Sequence, residues 1–415
     1  MIPSAASLPN GLRFVVLRKE GPPLVTIGVA YGVGSAHESP LQTGYAHLFE
    51  HVMFDNIARS DGKSFDELVT AAGGSSNAYT TYDWTYYHTT LPLEAIELGL
   101  ELESQRMRSF VVSAESLRTQ CNVVIEEIAE NVFNQPYGTA RMHLAAAAFE
   151  AGSCYSWDIY GSIEHLRAMT LEDARQWYER FYRPHNAVLA VVGAFDSTAE
   201  VIERIVSFFR DIPSAEQIST QQCTVVRGYK HHVERNPALP ADMVIAAYHI
   251  AGMDDEQTTM TAELLATVLS AGRSSPLARR FIHEGMFAHS ASAHADIRRQ
   301  SSLFEFSALA RDKSITAGQL LEQWEQLISS FGTMPIAPEH LERAHNKIRR
   351  RYAQAFQTTE GLAEMLALAV LLFDDPEHPW REVDKLLSIS PDALQEFART
   401  VFAQQPALVE YRTHA

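Results

Sequence analysis

The sequence is poor in cysteine and contains no long hydrophobic run. Its three cysteines, Cys121, Cys154 and Cys223, are too few and too scattered for a disulfide framework or a cysteine metal site, so we expect small thiols. The apolar runs stay below the length of about eighteen residues that a membrane-spanning helix needs, and the N-terminus lacks the pattern of a signal peptide. We therefore expect a soluble, cytoplasmic protein, with a periplasmic protein that has lost its signal as the alternative.

Basic residues are scarce relative to acidic ones. The chain has 34 Lys and Arg residues against 51 Asp and Glu residues, which gives a formal net charge of −17. Nucleic-acid binding depends on clustered Lys and Arg side chains that neutralise phosphates, and the basic stretches here, such as residues 349–351, are short. We therefore expect no nucleic-acid partner.

The length and the composition of the chain predict two domains. A chain of 415 residues is too long for one ordinary core and fits two domains of about 200 residues. A polar segment rich in Ser, Thr and Gln follows Pro213, and we predict a linker at residues 214–224 between domains at residues 1–213 and 225–415. In both halves β-branched segments alternate with amphipathic helical patterns, including one predicted strand from Ser76 to Leu91, which indicates an α+β protein.

The most informative motif is the pentapeptide His47-Leu48-Phe49-Glu50-His51, which lies in a helical pattern. Two imidazoles four residues apart share one helical face and suit two nitrogen ligands of a tetrahedral Zn²⁺, and Glu50 beside them is a candidate general base. Thr43 is the predicted N-cap. An apolar stripe occupies the opposite face: Tyr45, Leu48, Phe49, Val52 and Met53. The alternative interpretation is that the two histidines and the glutamate simply cover a solvated face.

A catalytic zinc site needs a third protein ligand, and the segment Ser113 to Gln135 offers one. It is predicted to be a helix with Ser113 as its N-cap, and it carries Glu126, Glu127 and Glu130. On a helical projection Glu126 and Glu130 lie on the solvent side, whereas Glu127 borders the buried stripe and can face a neighbouring helix. We therefore predict that Glu127 is the third ligand, with three ordinary surface charges as the alternative.

These residues resemble a known family along nearly the whole chain. The ranges His47–His51 and Val123–Glu127 are similar to the metal motifs of the M16 (pitrilysin-type) metallopeptidases, in particular the two-domain branch that includes mitochondrial processing peptidase and its bacterial relatives. Gly73–Thr80, Tyr182–Val188 and Gly272–Leu277 also match this family. The resemblance implies two similar α/β sandwich domains in tandem, each a mixed sheet packed with helices, which together form half of a clam-like chamber.

The resemblance also implies a function for the motif residues. It implies a Zn²⁺ ion held by His47, His51 and Glu127. Glu50 would then be the general base of a zinc metalloendopeptidase that cleaves peptides.

The resemblance further implies a substrate site on a strand. Asn77 and Ala78 match positions at which the family contacts an extended peptide that adds to the edge of the sheet. The alternative for these two residues is a simple turn into a strand.

The sequence departs from the family pattern in two places. Gln120 occupies a position where the family usually carries a Glu, and we expect it to support the metal ligands with hydrogen bonds but without a charge. In self-sufficient members the second domain supplies an Arg and a Tyr that bind substrate and stabilise the oxyanion. Here Ile282 and His289 occupy those two positions.

The missing pair leaves three hypotheses. In the first, the chain is the zinc-bearing subunit of a heterodimer, and a related M16 chain supplies the Arg and Tyr. In the second, the chain is self-sufficient as a monomer or homodimer, with His289, Arg279 or Arg280 as oxyanion donor. In the third, it is a non-catalytic subunit that binds peptides or supports an assembly. The intact ligand set favours the first two.

Overall fold

The structure is a computed structural model that describes residues 2–58, 62–214, 224–331 and 335–414. The chain divides into two compact units, each made of three segments. The N-terminal unit comprises Met1–Ile128, Ile159–Cys223 and Tyr352–Arg381, and the C-terminal unit comprises Ala129–Asp158, Thr224–Arg351 and Glu382–Ala415.

Strands and helices alternate along the chain. The strands of the described residues are β1 (Ser4–Ser7), β2 (Arg13–Arg18), β3 (Leu24–Tyr31), β4 (Ser75–Thr80), β5 (Thr85–Pro92), β6 (Ala187–Gly193), β7 (His231–Arg235), β8 (Met243–Ala251), β9 (Ala288–Asp296), β10 (Ser301–Ala310) and β11 (Ala407–Arg412). The helices are α1 (Tyr45–Asp55), α2 (Phe65–Ala71), α3 (Ile96–Arg108), α4 (Ala114–Ile128), α5 (Ala140–Ala148), α6 (Ile163–Ala168), α7 (Leu171–Phe181), α8 (Thr198–Phe209), α9 (Glu256–Ser270), α10 (Ala317–Phe331), α11 (Pro338–Gln357), α12 (Thr359–Phe373), α13 (His378–Ser388) and α14 (Pro391–Phe402).

The N-terminal unit is built on a mixed sheet with the strand order β1-β2-β6-β3-β5-β4. β2 and β6 are parallel, and the other neighbouring strands are antiparallel. α12 packs on one face, where its Leu366 joins a buried core with Ala30 of β3 and Val188 of β6. Ile27 points to the opposite face and packs closely against Gly99 of α3, because successive strand side chains alternate. The sheet is therefore covered on both faces.

The C-terminal unit is built on a second mixed sheet, with the order β7-β11-β8-β10-β9. β7 and β11 are parallel, and the remaining pairs are antiparallel. Trp324 of α10 stacks on Phe306 of β10 with ring centroids 4.3 Å apart, and its ring N–H donates to the hydroxyl of Tyr248 at 3.0 Å. Both units are thus mixed sheets packed with helices, which confirms the predicted α+β class with two similar units.

One predicted strand is wrong. The segment from Ser76 to Leu91 is not a single strand but a hairpin of β4 and β5. The hydroxyl of Thr81 accepts hydrogen bonds from the backbone N–H groups of Asp83 and Trp84, at 3.2 and 3.0 Å. This local bonding stabilises a reversal that the β-branched composition of the segment conceals.

Each of the two units is made of segments that are not contiguous in the sequence. Residues 129–158 belong to the C-terminal unit, and α12 belongs to the N-terminal unit, so the compact units differ from a simple division at the middle of the chain. The predicted linker at residues 214–224 lies almost wholly outside the described residues, because 215–223 are not described. The domain limits of 1–213 and 225–415 therefore stay a prediction.

The cysteine prediction is wrong for one residue. Cys154 is disulfide-bonded and is not the free thiol that we expected. Cys121 is a buried free thiol, and Cys223 lies outside the described residues. Spacing along the chain does not reveal which cysteines the fold brings together.

No single helix of the described residues has the length and hydropathy to cross a membrane. Helices α11 and α12 have the required length and hydropathy only when they are taken together, and the chain bends by 104° at the break between them.

A buried ion pair on α3 gives the first testable prediction. Arg106 is 1% exposed, its Nη2 atom lies 3.1 Å from Oε1 of Glu103, and its guanidinium lies over the ring of Phe65. Burial raises the pKa of Glu103. We expect Arg106→Leu to lower the free energy of unfolding by about 3–5 kcal/mol, because the carboxylate stays buried without its partner. Urea unfolding followed by circular dichroism measures this loss.

The matched control is Arg108→Leu, which changes an exposed arginine on the same helix. We expect it to change the free energy of unfolding by about 0.5 kcal/mol or less. The double variant Glu103→Leu with Arg106→Leu should lose less stability than Arg106→Leu alone. Equal losses for Arg106→Leu and Arg108→Leu would contradict this account of the pair.

Candidate metal centre

Helix α1 begins where two backbone segments approach closely. Gly44 precedes the helix with a φ of 90°, in the left-handed region that favours glycine, and a Cβ atom there would lie 2.6 Å from the carbonyl oxygen of Tyr160. Gly161 has a φ of 63°, and its Cβ would lie 2.1 Å from the nitrogen of Gly44. The loop that carries Tyr160 therefore packs directly on the start of α1.

The predicted N-cap of α1 is wrong. The hydroxyl of Thr43 does not cap the helix but contacts Nδ1 of His165 at 2.9 Å. The buried carboxylate of Glu38 accepts the N–H groups of Gly44 and Ala46 at 3.0 and 2.8 Å. A carboxylate is also favoured at this end by the helix dipole. Glu38 lies outside the usual sequence window for an N-cap, so the pattern did not indicate it.

The structure brings His47, His51 and Glu127 together. The apolar stripe of α1 is buried in the N-terminal unit, so its opposite face meets α4. Nε2 of His47 lies 3.7 Å from Oε1 of Glu127, and Nε2 of His51 lies 3.3 Å from Oε2. One donor atom from each residue lies within 4.8 Å of the others. Two imidazoles and a carboxylate are a donor set that zinc uses.

Burial keeps the imidazoles of His47 and His51 neutral, and the neutral imidazole is the form that binds a metal ion. It lowers the pKa of His47 to about 4, with a smaller contribution from His51, and it lowers the pKa of His51 against the opposing effect of Glu127. Both rings are therefore neutral at pH 7 and offer a lone pair. Within the described part of the chain, Nδ1 of His47 is buried without a hydrogen-bond partner. The hydrogen-bonding capacity of this ring is therefore not fully used by the described residues.

Of the three candidate glutamates, Glu127 on α4 is the one that lies close to the histidines of α1. Ser113 caps α4, since its hydroxyl accepts the N–H of Ser116 at 3.0 Å, and after Ile128 the helix widens into a π-helical turn at Ala129–Phe133, rather than continuing regularly to Gln135. Glu126 and Glu130 are exposed, whereas Glu127 is half-buried beside α1. The histidines of α1 therefore meet Glu127 and not the other two carboxylates.

Gln120 connects the two ligand-bearing helices at one end. Its side-chain amide donates to Oδ2 of Asp55, the last residue of α1, at 2.8 Å. This bond ties α4 to α1 and so bears on the positions of the ligands. Its role in supporting the metal stays a prediction.

Glu50 lies beside the cluster and contacts the edge strand of the sheet. Its Oε2 atom accepts a hydrogen bond from the hydroxyl of Thr80 at 2.7 Å. Burial raises the pKa of Glu50, and the charge of Glu127 raises it further against the hydrogen bond from Thr80. A carboxylate with a raised pKa takes up a proton more readily than an exposed one, which suits a general base.

Asn77 and Ala78 lie on β4, the last strand of its sheet. They pair with His88 and Tyr87 of β5 on one side, and β4 has no second neighbour among the described strands. Asn77 is exposed, and its side-chain oxygen accepts the N–H of Ala78 at 2.9 Å. The strand that contains these residues therefore has an unpaired backbone edge among the described strands. Its last residue, Thr80, contacts Glu50.

Tyr160 is a residue of the site that the sequence pattern did not indicate. Its hydroxyl donates to Oε1 of Glu127 at 3.4 Å, and its ring meets the ring of His47 edge-on with centroids 5.0 Å apart. It thus contacts two of the three clustered residues. The signal that could have indicated it is Gly161, because a loop glycine often marks a close backbone approach.

The residues at the positions of the missing Arg and Tyr lie in the C-terminal unit. Ile282 is half-buried in a π-helical segment, Ala278–Glu284, and His289 is exposed on β9. An aliphatic side chain at 282 offers no hydrogen-bond donor. That these two positions correspond to the Arg and Tyr of self-sufficient members stays a prediction.

The fold and the cluster define a class: an α+β protein in two similar units, with a two-histidine, one-carboxylate candidate metal centre. The chain belongs to the peptidase family M16. The family model described as Insulinase (Peptidase family M16) matches residues 13–155, and the model described as Peptidase M16 inactive domain matches residues 168–348. The resemblance inferred from the sequence motifs is thereby confirmed.

Known proteins with similar sequences include one named as a zinc protease and one named as a processing-peptidase subunit. The chain is 23% identical to the zinc protease PqqE of Helicobacter pylori, over 88% of this chain and 82% of that protein. It is 26% identical to a probable mitochondrial-processing peptidase subunit beta of Arabidopsis thaliana, over 52% of this chain and 40% of that protein. The crystal structure of a protease from Helicobacter pylori has a TM-score of 0.91 and 22% identity, covering 99% of both chains.

Proposed function

We propose that this chain is a zinc-dependent metalloendopeptidase that cleaves peptides or unfolded segments. The observation that carries the proposal is the convergence of His47, His51 and Glu127 with Glu50 beside them. The relative from Helicobacter pylori is also named as a zinc protease. The donor set fits zinc, and the neutral imidazoles need no proton to leave before they bind it.

The residues of the chain then have distinct roles in hydrolysis. When bound, zinc lowers the pKa of water and polarises the scissile carbonyl. Glu50 takes the proton of the attacking water on its carboxylate and passes it to the leaving amine. The hydroxyl of Thr80 donates a hydrogen bond to Oε2 of Glu50 and so orients the carboxylate that accepts the proton.

The edge strand β4 provides a binding site for an extended substrate. Its backbone is paired with β5 on one side, so a peptide can add to the other side by main-chain hydrogen bonds. Asn77 and Ala78 lie on this strand, and Thr80 at its end contacts Glu50. A peptide bound there would run past the base, and recognition through the backbone favours unfolded segments over folded proteins.

We further propose that the chain works as the zinc-bearing subunit of a heterodimer. The proposal rests on Ile282 and His289, which replace the Arg and Tyr of self-sufficient members. Each oxyanion donor typically contributes about two to three powers of ten in rate. A related M16 chain that supplies the pair would complete the site. One relative of this chain is itself named as a subunit, the beta subunit of a processing peptidase.

A peptidase assay at several protein concentrations tests both proposals. We expect the isolated chain to cleave an unfolded fluorogenic peptide slowly, to stop when a chelator removes the metal, and to recover with added Zn²⁺. Turnover should rise by about two to three powers of ten per supplied donor when a related M16 chain carrying the Arg and Tyr is added. His289→Ala should leave the slow activity unchanged.

Other outcomes identify the alternatives. High turnover of the isolated chain that is lost on His289→Ala would contradict the heterodimer and support a self-sufficient enzyme. Turnover that rises steeply with the concentration of this chain alone would support a homodimer. Peptide binding with no cleavage in any combination, zinc present, would contradict the peptidase and support a non-catalytic subunit.

A further inference from the structure

A second cluster of metal-binding side chains lies within the C-terminal unit, apart from the residues described above. It consists of His143 on α5 with His232 and Glu234 on β7. His232 and Glu234 are two residues apart on the strand, so their side chains point to the same face. α5 packs against this strand and its neighbour β11, and it brings His143 to that face.

The three side chains are close enough to share one ion. Nδ1 of His143 lies 3.6 Å from Oε2 of Glu234, and the two imidazole rings have centroids 3.8 Å apart. One donor atom from each residue lies within 4.8 Å of the others, as in the cluster of His47, His51 and Glu127. The donor set is also the same, two imidazoles and one carboxylate, which suits Zn²⁺ and similar divalent transition metals.

The surroundings leave one nitrogen unsatisfied. All three side chains are half-buried, and within the described residues Nε2 of His232 is buried without a hydrogen-bond partner. Such an atom is costly unless something pairs with it. The hydroxyl of Tyr411 contacts Nδ1 of His143 at 3.1 Å and the hydroxyl of Thr139 at 2.7 Å. It can therefore turn to Thr139 when a metal takes the nitrogen.

The adjacent histidine on the same strand shows the contrast. His231 is exposed and points away from the cluster, and its Nε2 atom pairs with Oε1 of Glu410 at 2.8 Å. The protein therefore supplies a partner for Nε2 of His231, whereas the residues that the structure describes supply none for Nε2 of His232. The two neighbouring histidines thus differ in what each one faces, and His231 provides a matched control.

We propose that His143, His232 and Glu234 bind a second divalent transition-metal ion, of which Zn²⁺ is the expected occupant. The ion would join α5 to the edge strand β7 and so stabilise the C-terminal unit. This site is independent of peptide hydrolysis, because it uses none of the residues proposed for the reaction.

The test measures zinc binding in a protein whose first cluster is disabled. In the double variant His47→Ala with His51→Ala, equilibrium dialysis against Zn²⁺ should still show about one bound ion per chain. Adding His232→Ala should abolish that binding, and adding the matched control His231→Ala should not. Zn²⁺ should also raise the melting temperature of the double variant, and this rise should vanish with His232→Ala.

A conservative substitution distinguishes a loss of zinc binding from a loss of folding. Glu234→Gln keeps the shape of the side chain and removes its charge, and it should weaken zinc binding while circular dichroism stays unchanged. The proposal is overturned if the double variant binds no zinc, or if His231→Ala and His232→Ala lower binding equally. Both results can be read whether or not the chain is a peptidase.

Discussion

Replacing Glu50 with glutamine is expected to lower peptide turnover by about 10²- to 10⁴-fold, the contribution typical of general acid–base catalysis, while the chain keeps its zinc. The amide has nearly the same shape as the carboxylate, so α1 should remain folded and the histidines should keep their positions. It can still accept the hydrogen bond from Thr80, but it cannot take a proton from water. Steady-state assays and metal analysis of the same preparation measure the two effects.

The matched control for this variant is Glu126→Gln, which changes an exposed glutamate near the same cluster. We expect it to change neither turnover nor zinc content. Loss of zinc in Glu50→Gln as complete as in a histidine variant would mean that Glu50 is a ligand. Undiminished turnover with zinc retained would mean that another group is the base.

The elements that carry the cluster could be predicted because local pattern and tertiary environment agree there. The apolar stripe of α1 has a helical period and is buried as expected, so the position of His47 and His51 on the other face follows from the backbone alone. The border position of Glu127 on α4 likewise indicated a neighbouring helix. In both cases the sequence pattern itself encodes which face is covered.

Other parts could not be predicted because they depend on contacts between distant segments. Tyr160 reaches Glu127 from a loop, and its place is set by the close approach of Gly44 and Gly161. Glu38 caps α1 from six residues before Gly44, beyond the reach of the usual capping pattern. α12 packs on the sheet of the N-terminal unit although it lies late in the chain. Helical period identifies its apolar surface but not the sheet that covers it.

The choice of third ligand is the step at which sequence and structure can be tested most directly. Glu126 and Glu127 are adjacent, carry the same carboxylate and differ in the direction they face on α4. Only Glu127 is brought to His47 and His51, at 3.7 and 3.3 Å. A pair of alanine variants at these two positions therefore separates the effect of position from the effect of charge.

We expect Glu127→Ala to empty the centre and abolish peptide cleavage, because a catalytic zinc held by two histidines alone lacks its third protein ligand. Glu126→Ala should keep about one zinc ion and full turnover. Both variants should be made with His232→Ala, so that an ion bound by the second cluster does not mask the loss. Metal analysis after dialysis and the peptidase assay provide the measurements. Full zinc occupancy in Glu127→Ala with loss in Glu126→Ala would show that the neighbouring carboxylate is the ligand, and that the half-buried position of Glu127 serves packing between α1 and α4 instead.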